Sequence, residues 1–498
     1  MRDSSAEKSM EKRFSNMSRI ALSPATVAIV GLGKIGLPLA VQYARHGWHV
    51  IGCDVNPHVI EQINAGRSHV HEEPGLEEAV AKLVQEGRLR ATSDTTAAVR
   101  QARAVVVIVP VLIDAAHSAN FTALDAATRA IGRGLQPETL VLYETTLPVG
   151  TTARRLAPLL ESESGLQAGS EFWLAYSPER VSSGTIFRDL RLYPKVVGGI
   201  NPPSTEMAVA FYRSVLDTSD IIVMPSTDDA EFVKLIETTY RDVNIALANE
   251  FARFADAHGL DVQAAIAAAN SQPYSHIHTP SVGVGGHCIP VYPYFLLAGA
   301  EEVDEQAAGF APLLQLPRQA RAINDSMATY AVRRLEMALG SLHGQTILIL
   351  GIAYRGDVRE LAFSSAVLLR LALEQRGARV LADDPLFSSE EIQAAGYTPF
   401  SPSEAATVNA IILQAAHTAY RSFDFRPFSR CQVVLDGRQA WHRQRSTIET
   451  LGIRYLAIGD GSPGRRKQRP LAASHCGEAT ASRQETAATT HHCPESAL

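Results

Sequence analysis

The chain has 498 residues, 46% apolar and 20% charged, with a formal net charge of -6. That length exceeds one compact domain and accommodates about three, each with its own core. The acidic balance argues against nonspecific nucleic-acid binding, and no apolar run approaches the ~18 residues of a membrane span. Five scattered cysteines, Cys53, Cys288, Cys431, Cys476 and Cys493, fit a reducing compartment better than a disulfide framework, and residues 1–19 lack an apolar signal core. The expectation is a cytoplasmic protein.

Residues 1–24 are polar and expected to be disordered. Ala25-Thr26-Val27-Ala28-Ile29-Val30 then reads as a buried parallel strand, followed at once by Gly31-Leu32-Gly33-Lys34-Ile35-Gly36. This glycine motif closes a strand and opens an amphipathic helix over 37–46, and a second strand, 49–53, ends at Asp54. Together they form a dinucleotide fingerprint. The glycines let backbone N–H groups and the helix amino end approach a pyrophosphate, and Asp54 can accept from both ribose hydroxyls. A carboxylate there repels a 2′-phosphate, so the expected cofactor is NAD.

The α/β pattern continues with a helix over 77–86 and strands over 104–109, 140–144 and 172–176, the last expected to close the domain. Pro110 and Thr146 lie at carboxyl ends of such strands, where open α/β sheets bind ligands, and are assigned to the cofactor site. The segment Ser177-Pro178-Glu179-Arg180-Val181 offers Glu179 and Arg180 in a comparable place.

A long helix is predicted from the N-cap Ser226, with Asp228, Asp229 and Glu231 complementing its dipole, to the stop at Gly259. Phe232, Leu235, Ile236, Val243, Ala246, Leu247 and Phe254 form a broad apolar stripe, one side for its own domain and the remainder for a partner subunit. Lys234 and Thr238 lie one turn apart beside it. The loop Gly283-Val284-Gly285-Gly286-His287-Cys288-Ile289-Pro290 delivers a cysteine with room for an electrophile, and Tyr274, His276 and Thr279 precede it. After a helix over 317–339, a second α/β unit has strands at 345–351, 379–381, 410–413 and 432–436. The domains read as 25–215, 216–335 and 336–460, two doubly wound Rossmann-like α/β units joined by a helical middle domain. Residues 461–498 read as a disordered tail, and their His475-Cys476 and His491-His492-Cys493 match no closed zinc pattern, so no metal is expected.

Five motifs occur in order: Val30 to Pro38, Ser177 to Val181, Glu231-Phe232-Val233-Lys234-Leu235, Gly285 to Pro290, and Gly351-Ile352-Ala353-Tyr354-Arg355. Over roughly 25–460 the chain thereby resembles the nucleotide-sugar dehydrogenases of the UDP-glucose/GDP-mannose dehydrogenase family. The forms of the second and fourth motifs look most like the branch acting on UDP-N-acetylhexosamines. The resemblance implies NAD-dependent two-fold oxidation of a sugar C6 alcohol to the uronic acid, with Cys288 as covalent nucleophile, Lys234 stabilising the oxygen at C6 and Glu179 orienting water. Thr238 would complete the catalytic set. It further implies a UDP-sugar substrate held by Arg180, Tyr274, Gly283, Gly285, Gly286, Tyr354 and Arg355, a role in surface polysaccharide synthesis, and a homodimer or higher homo-oligomer. Alternatives are a UDP-glucose dehydrogenase or a catalytically impaired nucleotide-sugar-binding homologue. The chain departs from the family pattern at Tyr292, where an aspartate is usual, at Thr238 for asparagine, at Val111 for threonine, and at Ala362 where the arginine of an arginine-glutamate-serine motif is expected.

Overall fold

The computed structural model describes residues 24–114, 116–217, 220–304 and 313–462. The two termini expected to be disordered, with the tail's histidines and cysteines, lie almost wholly outside these residues.

The first unit opens with β1 (Thr26–Val30), α1 (Gly36–Arg45), β2 (His49–Cys53), β3 (Leu89–Thr92) and β4 (Ala104–Val107). β5 (Leu140–Tyr143), β6 (Trp173–Tyr176), β7 (Lys195–Gly199), α2 (Pro202–Val215) and β8 (Ile221–Val223) complete it. The sheet order is β8-β7-β6-β5-β4-β1-β2-β3. Every pairing is parallel except β6 with β7. The sequence reading ends this sheet at β6, whereas β7 and β8 extend it past residue 215. The lysine that opens β7, the glycines that end it and the shortness of β8 hid them, since pairing and burial come from tertiary neighbours. Alternation within β1 sends Val27 and Ile29 to one core and Ala28 and Val30 to the other. Both faces are therefore covered, which is why these strands read as unbroken apolar runs.

α3 (Thr227–His258) is the spine of the molecule. It starts where predicted, with Ser226 Oγ accepting from Asp229 N at 3.2 Å, and stops at Gly259 in the left-handed region. The predicted stripe divides in two. Ala230 and Leu235 pack in the first unit's core and Ala248, Ala252 and Ala255 in the second's. Phe232, Ile236, Tyr240, Leu247, Phe251 and Phe254 form an exposed apolar row. Ser226→Ala removes the cap and is expected to cost about 1 kcal/mol in denaturant unfolding.

α4 (Val262–Ala269), α5 (Tyr292–Asp304) and α6 (Gln315–Leu339) follow. Buried polar contacts join α6 to α3: Arg321 Nη1 donates to Asp242 Oδ1 at 2.6 Å, and Asn324 Nδ2 to the same oxygen at 2.8 Å. Asn249 Nδ2 donates to Asn324 Oδ1 and Asn249 Oδ1 accepts from Ser281 N, so this network also fixes the start of the cysteine loop. The second unit contains β9 (Thr346–Leu350), α7 (Ser365–Glu374), β10 (Arg379–Asp383), β11 (Thr398–Pro399), β12 (Ala410–Leu413), β13 (Val433–Asp436) and β14 (Arg454–Ala457). Its all-parallel order is β11-β10-β9-β12-β13-β14. Among the described residues no helix is long and apolar enough to cross a membrane.

Candidate active site

In the first sheet the strand order reverses between β1 and β4, the crevice where such sheets bind nucleotides. Gly31 has φ +97°, and a Cβ on it would lie 2.7 Å from Ile108 O, so only glycine makes this turn. A Cβ on Gly36 would strike Gly31 O, which fixes the close helix-strand packing, whereas one on Gly33 would meet nothing within 4 Å. No side chain caps the amino end of α1. An open face beside an uncapped helix end fits a dinucleotide pyrophosphate. Asp54 Oδ2 accepts from Leu32 N at 2.9 Å, so the ribose-binding candidate is anchored to the same loop. Lys34 bridges Glu72 Oε1 at 2.9 Å and Glu360 Oε2 at 3.3 Å. Pro110 is exposed just beyond β4.

The cysteine loop is sewn to the second unit. Val282 N donates to Gly437 O at 3.2 Å, Gly286 N to Ala362 O at 2.9 Å, and Arg438 Nη1 to Gly283 O at 3.3 Å. Gly285 and Gly286 permit close approach, since a Cβ on either would lie within about 3 Å of Tyr354. The Cys288 carbonyl accepts from Val291 N and Tyr292 N, placing the residue at the amino end of α5. Its thiol is exposed, whereas Cys53 and Cys431 are buried, with thiols pushed up by burial to about 12. Among the described cysteines, Cys288 alone can meet a substrate.

Lys234 and Glu179 lie side by side. Lys234 Nζ donates to the Glu179 carbonyl at 2.7 Å. The Glu179 carboxylate accepts from Arg180 N at 2.6 Å, Val181 N at 3.0 Å and Lys195 Nζ at 2.9 Å. Thr146 follows β5 as Glu179 follows its neighbour β6, with Tyr143 in register with Tyr176. Tyr292 stands beside both Thr146 and Cys288. Burial first, and then the Cys288 thiol, drive its phenol far above the ordinary value, against the opposing influence of Thr146. A phenol so placed keeps its proton at neutral pH and cannot serve as a base.

Residues 25–216 match the NAD binding domain of the UDP-glucose/GDP-mannose dehydrogenase family, 228–326 its central domain and 348–443 its UDP binding domain. The chain belongs to this family. It is 33% identical over 419 residues to a UDP-N-acetyl-D-mannosamine dehydrogenase of Pyrococcus horikoshii, covering 83% of this chain and 95% of that one. It is 32% identical to an NDP-N-acetyl-D-galactosaminuronic acid dehydrogenase of Ralstonia solanacearum, covering 84% and 97%. Among solved structures, the UDP-D-ManNAc dehydrogenase of P. horikoshii superposes with a TM-score of 0.78 at 32% identity, covering 88% of this chain and 99% of the other. The NDP-N-acetyl-D-galactosaminuronic acid dehydrogenase of Methanosarcina mazei Go1 gives 0.75 at 28%, covering 91% and 98%. This dehydrogenase therefore uses NAD, and its second α/β unit is the family's UDP-binding domain.

Several expected site residues of the dehydrogenase are otherwise engaged. Thr238 Oγ1 donates to the carbonyls of Lys234 and Leu235, one turn back on its own helix. The Arg180 guanidinium, expected at substrate, is paired with Glu237 at 2.5 Å. Tyr274 is 93% exposed. Tyr354 packs against Gly286, and Arg355 is exposed on the same turn. Ala362 stands where the motif's arginine was sought, and Arg359-Glu360 lie upstream of it. Arg359 reaches Leu386 O and Glu391, and Glu360 lies 3.4 Å from His287 beside the cysteine.

Other residues escape the sequence reading. Glu231, read as a dipole complement, is fully buried and instead accepts from Gly150 N, Thr152 N and the Thr152 hydroxyl. Burial pushes its carboxyl up to about 7 against those bonds. It thereby ties α3 to the segment following Thr146. Lys195 and Glu144 are also missed, and their only sequence signal is a charge abutting a wholly apolar strand. Among the described residues no group of three or more His, Cys, Asp or Glu could hold a metal.

Proposed function

We propose that this dehydrogenase oxidises the C6 alcohol of a UDP-N-acetylhexosamine twice, to the uronic acid, through a thiohemiacetal and a thioester on Cys288. The observation that carries this reading is the exposed Cys288 at the amino end of α5, in a chain that also joins Lys234 to Glu179. The acetamido sugar is favoured by the relatives, whose names specify N-acetylmannosamine and N-acetylgalactosaminuronic acid. The loop over 31–36, Asp54, Pro110 and Thr146 hold NAD, which supplies a hydride acceptor for both oxidations. The sulfur of Cys288 adds to the C6 aldehyde, and the Lys234 ammonium stabilises the resulting oxyanion. After the second oxidation the carbonyl carbon remains bonded to sulfur. Water then adds through oxygen, the carbon–sulfur bond breaks with its electron pair returning to Cys288, and Glu179 orients the water. Tyr354 and Arg355 face the nucleotide end. The apolar row of α3 seats a second copy of the chain, giving a homodimer or higher homo-oligomer that works in the cytoplasm and supplies uronate for polysaccharide synthesis.

The purified protein is expected to form about two NADH per sugar with a UDP-N-acetylhexosamine. The screen covers the manno, gluco and galacto isomers, UDP-glucose and GDP-mannose. Failure to reduce NAD with all five overturns the reading.

Tyr292 favours a second reading, an enzyme slow at thioester hydrolysis. The phenol holds its proton where an aspartate would take one. Tyr292→Asp is expected to speed hydrolysis by roughly 10-fold or more, within the range of general-base contributions. Mass spectrometry of quenched enzyme checks it: a sugar adduct on Cys288 that accumulates in the parent and clears in the variant. Equal adduct levels exclude slow hydrolysis.

A further inference from the structure

Behind Glu179 lies a buried group of charges with no place in the reaction as described. Lys195, which opens β7, is 6% exposed and holds two carboxylates, Glu179 Oε2 at 2.9 Å and Glu144 Oε2 at 3.2 Å. The other Glu144 oxygen accepts from Tyr212 at 2.6 Å and Tyr43 at 3.3 Å. The ammonium also lies 4.8 Å from the Tyr212 ring centre. The groups facing the trio are Tyr43 on α1, Tyr212 on α2, Tyr176 on β6, and Lys234 on α3, whose amine takes the Glu179 carbonyl.

Two carboxylates and one ammonium in a dry site are an expensive arrangement for stability alone, because buried ion pairs seldom recover their desolvation. The charges also act on the two acids differently. Burial works to raise the Glu179 carboxyl, but Lys195 and the backbone N–H groups of Val181 and Arg180 outweigh it and hold it below the usual value. Burial raises Glu144 to about 7, with Lys195 opposing and Glu179 adding to the rise. One acid is thus kept ionised while the other carries the cost of crowding.

We propose that Lys195 and Glu144 are positioning residues for the hydrolytic step: Lys195 aims Glu179 and holds it as a carboxylate, and Glu144 opposes Lys195 from behind. The proposal rests on the reading that Glu179 orients the water that attacks the Cys288 thioester. In that step the water oxygen bonds to the acyl carbon, a water proton passes to Glu179, and Cys288 leaves with the carbon–sulfur electron pair.

The sign of each variant follows. Glu179 acts in its ionised form, so the rate of hydrolysis falls as pH drops through its titration. Lys195→Met removes the cation that depresses that titration, and its acid limb should move to higher pH by at least about one unit, roughly 10-fold in rate on the limb. Burial raises Glu144 to about 7, so it is already protonated on the limb where Glu179 titrates; Glu144→Gln replaces a neutral acid by a neutral amide and should leave the limb near the parent. Lys195→Arg keeps the cation and should stay near the parent. The experiment measures uronate formation from pH 3.5 to 9, with the Cys288 adduct by mass spectrometry and melting temperature as a folding control. A limb moved up in Lys195→Met alone, with adduct accumulating at low pH, upholds the proposal. A limb unmoved in Lys195→Met, or a rate lowered equally at every pH, overturns it. If Lys195→Met does not fold, Lys195→Gln, which keeps hydrogen-bonding groups without the charge, decides by the same two outcomes. An inactive parent enzyme overturns instead the reading on which the proposal rests.

Discussion

Replacing Cys288 by alanine should lower uronate formation by on the order of 10³-fold or more, while a first round of alcohol oxidation survives. In the proposed reaction the covalent bond to sulfur would convert a free aldehyde into a tetrahedral adduct that carries a transferable hydrogen and stays in the site. Without it the aldehyde must await hydration by chance and can diffuse away. The expected products of Cys288→Ala are a trace of NADH and released or trapped aldehyde, detected with a hydrazine reagent and by product mass. Structural damage is a poor rival explanation, because the thiol is exposed and a methyl fills its place without disturbing a core. The surrounding loop is held by backbone contacts to Gly437 and Ala362, which the substitution leaves intact. Uronate formation at the parent rate would exclude covalent catalysis by this residue.

How much of this was legible in sequence depends on where the information resides. The dinucleotide loop could be read because its requirements are local: Gly31 needs a backbone that only glycine adopts readily, and Asp54 ends the next strand. The long helix was readable from Ser226 to Gly259 for the same reason, its cap and its stop both being encoded within one turn. The continuous apolar strands gave the sheets because each is covered on both faces. What the sequence did not disclose depends on long-range partners. Lys195 looks like a solvated charge before a strand until β7 is laid antiparallel to β6, which carries it against Glu179 and Glu144. Glu231 looks like a first-turn acid until the turn after β5 arrives with two unpaired N–H groups. Thr238 looked like a shortened substitute for asparagine, yet a hydroxyl on a helix has carbonyls one turn back as partners, and it takes them.

Lys234→Met should lower kcat by roughly 10²- to 10³-fold, the usual consequence of losing a preorganised group at a developing oxyanion. The KM for the nucleotide sugar should change much less, since the charge at C6 develops only as the reaction proceeds. Lys234 is anchored for that task, its amine held at 2.7 Å by the Glu179 carbonyl on a helix whose preceding turn is pinned by Glu231. Two of its protons remain to meet an oxygen, because an ammonium carries three donors and the carbonyl takes one. Methionine keeps the length and the apolar stem but leaves the Glu179 carbonyl without this donor, so a modest loss of stability is expected as well. A KM effect with kcat unchanged would assign Lys234 to ground-state binding. Steady-state kinetics with the preferred sugar, set beside melting temperatures, separates the two. Lys234→Arg sharpens the comparison: it preserves charge but spreads it over a planar fork, so activity recovered only in part shows that the placement of a compact cation governs the rate.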